Sequence, residues 1–482
     1  MKLPRFPLLI LFAAAAASAF AADAPAPAPI TPATVAPVND FYVYFGTHRA
    51  GAGLGLSLAH FNSDTGVLTV PKFEVQSSAP AYFVIGPDGK HLYTCNSGDT
   101  FQGQPGGGVS AFGIDSATGH LTALNTKPAG GEDTSYISLD RTGRFALVAN
   151  YKGGNIAVFA LQPDGSLGER TAFVQHTGSS VDPVRQTHAY AHSIITDPTN
   201  QFAIVADLGL DKVFVYHFDE KTGALTPNEP AFVSVKPGSG PRHPVFLPNR
   251  NIVYVISEIA STVTAFHWDS DQGTLAEFQV ISALPADFKG TSACAEIAIH
   301  PNGHFLYVSS RGHDSLAVFA IGAQDGRLSL VQHVSSGGQT PRNFAFDPTG
   351  QWIIATNHGS NNAVVFQVDA ITGKLTQQGD PVSVPYPFCE RFAWDENSSI
   401  QVMGAVNRPG LYRIGQASTL GEVIDAAGGL NQYASARAST LLRRKPDGST
   451  ERLRLQSSVL RGFARELPLK PGDQILVAFT AD

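Results

Sequence analysis

Residues 192–225 read HSIITDPTNQFAIVADLGLDKVFVYHFDEKTGAL, and the order of patterns in this stretch decides the fold. An apolar strand ends at a DPTN turn. A second apolar strand, FAIVAD, and a third, VFVYHF, follow before an acidic turn, DEKTGAL, opens a fourth. The acidic turn recurs along the chain as DTGVL, DSATGHL, PDGSL, DEKTGAL, DSDQGTL, AQDGRL and DAITGKL. Their leucines, Leu68, Leu121, Leu167, Leu225, Leu275, Leu328 and Leu375, are spaced by 53, 46, 58, 50, 53 and 47 residues. A period near fifty with four strands per unit is that of a β-propeller blade, and seven copies predict seven blades. The first unit begins directly at its second strand, Phe41 to Phe45. The strand it lacks is read at the other end, in Arg391-Phe392-Ala393-Trp394-Asp395, so the ring is expected to close by pairing the two ends of the repeat.

Composition agrees with a large, turn-rich β protein. Of 482 residues, 43% are hydrophobic and 15% charged, with 47 Gly, 32 Pro and 30 Phe, which excludes a coiled coil and a disordered chain. The net charge of -7, with no block of like charges, speaks against a nucleic-acid-binding face. Cys95, Cys294 and Cys389 are too scattered for a disulfide framework or a CxxC metal site and are expected as buried free thiols.

At the start, Lys2 and Arg5 precede the apolar run Leu8 to Ala17, and Ala19-Phe20-Ala21 supplies a small-x-small cleavage site. Residues 1–22 are therefore expected to be a signal peptide and the chain periplasmic or secreted, with no membrane span after cleavage. Residues 23–39, an alternation of Ala and Pro, are expected to be an extended linker.

Beyond the propeller, assigned to residues 40–397, the composition changes: residues 400–482 carry a charge of +4 against -11 for the preceding chain. Thr419 with Glu422 forms a capping box, Leu420, Val423, Ile424 and Ala427 make an apolar stripe, and Gly428-Gly429 end the helix. Strands Ile400 to Val406, LYRI, TLLRRK, TERLRL and LKPGDQILVAF surround it, giving a small α+β unit over 398–482. The strings VMGAVNRPGLYRI, TLGEVIDAAGGL and LKPGDQILV resemble the SLBB module, a β-grasp domain. That resemblance implies a role in binding a ligand or partner, a glycan or an envelope protein being the expectation.

No P-loop, GxSxG, HExxH or helix-opening GxGxxG is present. The chemistry-bearing residues lie instead at the ends of apolar blade strands, where a propeller makes distant positions converge on its channel. They are His188 and His192 in RQTHAYAHSI, Asp207 and Asp211, Arg242 and His243 in GSGPRHPVF, Glu258 in VISEIASTV, Glu296 in CAEIAIHP, Arg311, His313 and Asp314 in SSRGHDSLAVF, and Arg342 with Asn343 in TPRNFAF. Equivalents are not legible in the first two blades. An imidazole, a carboxylate and two guanidiniums meeting in one cleft would need to be matched by each other or by a ligand.

The strings QTHAYAHSI, DLGLDKVFVY, GSGPRH, SEIASTVTAF, SSRGHDSLAVF and TPRNF, taken together, resemble the seven-bladed propeller lactonase family of 6-phosphogluconolactonases and carboxymuconate lactonizing enzymes. The resemblance covers Phe41 to about Trp394 and places the family's catalytic His on His192, its Glu on Glu258 and its two Arg on Arg242 and Arg311. Tyr190 stands where the family often has a second histidine, and Ser310 where it often has Asn. What this implies is a lactonase acting on a small lactone without metal or cofactor. His192 is expected as the base, Glu258 to orient it or the water, and Arg242 and Arg311 to receive the substrate's anionic group. His188, Tyr190, His243, Glu296, His313 and Arg342 are expected to line the substrate site. The alternative is a non-catalytic propeller that binds glycan or an envelope protein.

Overall fold

The computed structural model describes residues 36–49, 54–97, 100–101, 103–248, 250–394, 399–414, 418–431, 434–445, 450–455 and 463–479. The expected signal peptide, the expected linker up to residue 35, Asp395 and the expected turn at 446–449 lie outside them. The chain is mainly β, with seven radial sheets and a separate six-stranded sheet.

The fold follows from the repeat. Each acidic turn of the heptad of motifs needs a left-handed residue. The motif glycines Gly66, Gly119, Gly165, Gly223, Gly273, Gly326 and Gly373 all have φ between +65° and +81°. The Asp219 carboxylate, for example, accepts the amides of Lys221 and Thr222 at 2.8 and 3.3 Å, fixing its turn. These turns then serve as docking points for the neighbouring blade. The Tyr44, Tyr254 and Tyr307 hydroxyls donate to the carbonyls of Gly119, Gly326 and Gly373. A Cβ on Gly119 would sit 2.6 Å from the Tyr42 ring, so the turn glycine is also required for blade contact.

Ring closure is as the sequence indicates, with its strand two to four residues earlier. Pro387–Ala393, not residues 391–395, is the innermost strand of the first blade. It runs antiparallel to Asp40–Thr47, pairing Phe45 with Glu390 and Tyr42 with Ala393. Glu390 is unusual in this seam. The matching place in the other innermost strands holds Phe83, Ile137, Ile194, Pro244, Ile297 and Phe344, all apolar and buried. Glu390 is fully buried; one carboxylate oxygen accepts the Thr356 hydroxyl at 2.6 Å and the other has no partner among the described residues. Burial pushes its carboxyl up to about 8, against the Thr356 hydrogen bond and Arg391, with Glu296 adding to the rise. Because the folded state holds this proton at pH values where the unfolded chain has lost it, stability should fall as pH rises from the ordinary carboxyl range to about 8, then level off. Glu390→Gln removes that slope: urea midpoints at pH 5 and 8.5 should differ less in the variant than in the parent. Identical differences in the two proteins would contradict this assignment.

All three cysteines are buried and free. In the second unit, a helix over Leu420–Ala426 carries the capping box read from Thr419 and Glu422 and buries Leu420, Val423 and Ile424. It packs on a sheet in which Ser399–Gly404 runs parallel to Gln474–Phe479. The end of the expected linker does more than extend: Ala36–Val38 pairs with Gly410–Arg413 as the edge strand of this second sheet. Pairing the residues just before the first blade to the unit that follows the last one ties the C-terminal unit to the seam. Gln351 and Gln401 add hydrogen bonds to the Pro409 and Pro348 carbonyls across the junction. No helix among the described residues is long and apolar enough to cross a membrane.

Candidate active site

Every innermost strand carries a β-bulge at the same level. The register slips between Pro80 and Tyr82, Thr134 and Tyr136, Ala191 and Ser193, Pro241 and His243, Cys294 and Ile297, and Pro341 and Asn343. In the closing strand it slips around Phe388. A bulge leaves one residue unpaired and re-aims it. The residues so released include Ala81, Ser135, His192, Arg242, Arg342 and Phe388, which ring one end of the channel. A second ring comes from the ends of the second strands: the residue just after them in six blades, His48, Ser97, Tyr151, Leu208, Glu258 and His358, and the last strand residue, Arg311, in the sixth blade. Members of both rings, joined by Asp133 and Arg185, enclose a cavity of about 250 Å³, lined by His48, Ala81, Ser97, Asp133, Ser135, Tyr151, Arg185, His192, Glu258, Arg342 and Phe388.

Glu258 organises one side. It is buried, yet three guanidiniums surround it: Arg242 Nε and Arg311 Nη2 each lie 2.9 Å from Oε2, and Arg185 donates to Oε1. His192 Nε2 lies 3.9 Å from the same Oε2. Burial alone would raise the Glu258 carboxyl, but Arg311 and Arg242, with Arg185, overcome it and hold the group well below the usual carboxylate range. His192 is 4% exposed, and its Nδ1 has no hydrogen-bond partner among the described residues. Burial, then Arg242 and His243, hold its pKa well below that of free imidazole against the pull of Glu258. The site therefore offers a neutral imidazole next to a permanent carboxylate.

The four residues spread over positions 192 to 311 thus converge in one cluster, but their places differ from those expected. Arg242 and Arg311 stand behind Glu258, outside the cavity wall. Arg242 is 3% exposed and also donates to the Ala295 carbonyl, while Arg311 bonds the Ala293 and Cys294 carbonyls at 3.1 and 3.0 Å.

Of the expected lining residues, Arg342 alone is in the wall. His243 and Glu296 form the layer beneath, joined at 2.9 Å. Glu296 accepts from Asn343, and His243 meets the Tyr136 ring edge-on at 4.8 Å. Glu296 faces a different cavity, about 420 Å³, at the opposite end of the channel. His313 bonds Ser315 and packs on Phe288, away from the cluster. The rings of His188 and Tyr190 lie 4.0 Å apart, tilted by 37°, in an outer recess that meets the cavity at Tyr151 and Arg185. Asp207 and Asp211 are structural: Asp207 pairs with buried His176 at 2.7 Å, and Asp211 accepts the Gly238 and Gly240 amides.

Blades one to three contribute after all. His48, Ser97, Asp133, Ser135 and Tyr151 were missed, though His48, Ser97 and Tyr151 each follow an apolar second strand just as Glu258 does. Arg185 was missed because its loop, residues 176–190, has no counterpart in the repeat.

Residues 42–392 match the family described as Lactonase, 7-bladed beta-propeller, and residues 398–477 match the SLBB domain. The chain belongs to that lactonase family. Among relatives, the 6-phosphogluconolactonase of Bacillus subtilis is 37% identical over 349 residues, covering 72% of this chain and 97% of the relative. That of Formosa agariphila is 34% identical, covering 61% and 83%. The structure of the periplasmic gluconolactonase of Pseudomonas aeruginosa aligns with a TM-score of 0.69 at 30% identity, over 74% of this chain and 99% of that one. The chain is thus a 6-phosphogluconolactonase-like lactonase carrying an SLBB domain.

Proposed function

We propose that the cavity at Glu258 opens sugar lactones by direct attack of water, with His192 as the base. The observation that carries this is the pairing of a neutral imidazole, whose Nδ1 has no partner among the described residues, with a carboxylate held ionised by three guanidiniums. Water adds to the lactone carbonyl as its proton passes to His192. The tetrahedral intermediate then collapses with cleavage of the ring C–O bond, and the proton leaves on the ring oxygen, giving the open hydroxy acid. Glu258, too weak a base under its arginines, stabilises the imidazolium as it forms. Arg185, which lines the cavity and is bonded to Glu258, is placed to donate to the developing oxyanion.

A base must be deprotonated to act, so activity is lost as pH falls through the His192 pKa. Since that value lies well below 6.5, the kcat/KM profile for a neutral lactone should stay flat from pH 8 to pH 6.5 and decline only further into acid. A half-maximal point at or above 6.5 would contradict the assignment of His192.

We further propose that the protein works outside the cytoplasm. Lys2, Arg5, the run Leu8 to Ala17 and Ala19-Phe20-Ala21 support export, and one structural relative is itself periplasmic. Fractionation of cells producing the full chain tests this: a cleaved, extracytoplasmic product is expected, and an uncleaved cytosolic one would overturn it.

A further inference from the structure

Of the four arginines around the cavity, Arg185, Arg242 and Arg311 are paired with Glu258. Arg342 is different. It lines the cavity from the bulge of the seventh blade, and among the described residues it has neither an ion pair nor a hydrogen bond. Its guanidinium lies over the face of Phe388, 3.8 Å from the ring centre, and another aromatic neighbour of Phe388 in the wall, His48, is stacked on that ring at 4.0 Å. A guanidinium lying flat on a ring keeps its N–H groups free at the edge, in the fork that matches a carboxylate or phosphate. Burial and the nearby Arg242 and Arg311 disfavour its charge, with Glu258 and Asp133 only partly offsetting them. Four guanidiniums, two in the wall and two behind it, against the carboxylates of Glu258 and Asp133 leave the cavity short of negative charge. His48 adds none: burial and Arg342 bring its pKa down to about 4, so it is a neutral imidazole near neutral pH.

We propose that Arg342, laid on the Phe388 ring on which His48 also stacks, is the specificity-determining receptor for an anionic group on the lactone, while Arg242 and Arg311 serve only to hold Glu258. This rests on the lactonase reading above. It places the substrate's anion at the seam of the first and seventh blades and its carbonyl at the fourth and fifth, across the cavity. Phosphate monoester and carboxylate share the required chemistry, and the test separates them.

Steady-state hydrolysis is compared for 6-phosphoglucono-1,5-lactone, glucaro-1,4-lactone and neutral glucono-1,5-lactone by the parent, Arg342→Gln and Arg342→Lys. Losing a charge-assisted bidentate contact should lower the ratio of kcat/KM for the anionic lactone to that for the neutral one by about 10–100-fold in Arg342→Gln, mainly through KM. Arg342→Lys should recover part of the ratio. Loss with the phosphate alone, or the carboxylate alone, identifies the group. An unchanged ratio in Arg342→Gln overturns the proposal. Calorimetric binding of 6-phosphogluconate and gluconate to the same proteins needs no turnover. If the parent binds the phosphorylated acid more tightly and Arg342→Gln loses that margin, the receptor stands even where no lactone is hydrolysed, whereas a margin kept in Arg342→Gln overturns it. If the parent shows no such margin and Arg342→Gln changes neither acid, the receptor falls whatever the activity.

Discussion

His192→Ala should lower kcat by about 10²–10⁴-fold on any lactone the parent opens, the range a positioned general base contributes, while KM changes little. The reason lies in what His192 does and does not hold together. Among the described residues its Nδ1 has no partner and its Nε2 is 3.9 Å from Glu258, so removing the ring breaks no short hydrogen bond to a described side chain. The ring packs edge-on against Tyr151 and His243, at 5.3 and 5.1 Å, and its loss leaves a small void in a wall built by strands of fixed register. The variant should therefore fold, with a thermal midpoint close to that of the parent. A folded variant with activity within threefold of the parent would remove His192 from the chemistry.

Glu258→Gln should behave in the opposite way, with a large effect on stability as well as on rate. Gln has the shape of Glu but leaves Arg242 and Arg311 with no counter-charge in a setting where both are largely sealed from water. Removing one partner of a buried ionic cluster costs about 3–5 kcal/mol, chiefly through the charges left behind. The double variant Glu258→Gln with Arg242→Met should recover part of that loss, because one orphaned cation is gone. Urea unfolding of the parent, both single variants and the double variant measures the coupling. A loss under 0.5 kcal/mol in Glu258→Gln would mean that the carboxylate is not the anchor the geometry makes it.

The propeller was legible because its repeat has a physical cause at each landmark. The motif glycines mark a left-handed turn, and the apolar second strands mark the packed middle of each blade. Ring closure was legible from the missing strand before Phe41, although the strand was placed too late, at 391–395, since Pro387 and Phe388 look like loop residues in sequence. The site was legible only by half. Glu258 and Arg311 stood out as charges after apolar strands, and the same rule applied to every blade would have produced His48, Ser97 and Tyr151. Bulges leave no mark in sequence, so nothing distinguished Arg342, which the bulge turns into the cavity, from Arg242, which lies behind Glu258. A one-residue change in pairing also separates His192, in the wall, from residues in the layer beneath such as His243. The strand at Ala36–Val38 was invisible for another reason: its partner, Gly410–Arg413, is more than 370 residues away in a different unit.

Acid release from a panel of sugar lactones, followed at constant pH with the full chain, tests the hydrolase most directly. Turnover above the spontaneous rate that saturates with substrate and disappears in His192→Ala is the expected result. A well-folded chain that retains glycan on a column but opens no lactone in the panel would contradict it, leaving a propeller whose channel binds without reacting.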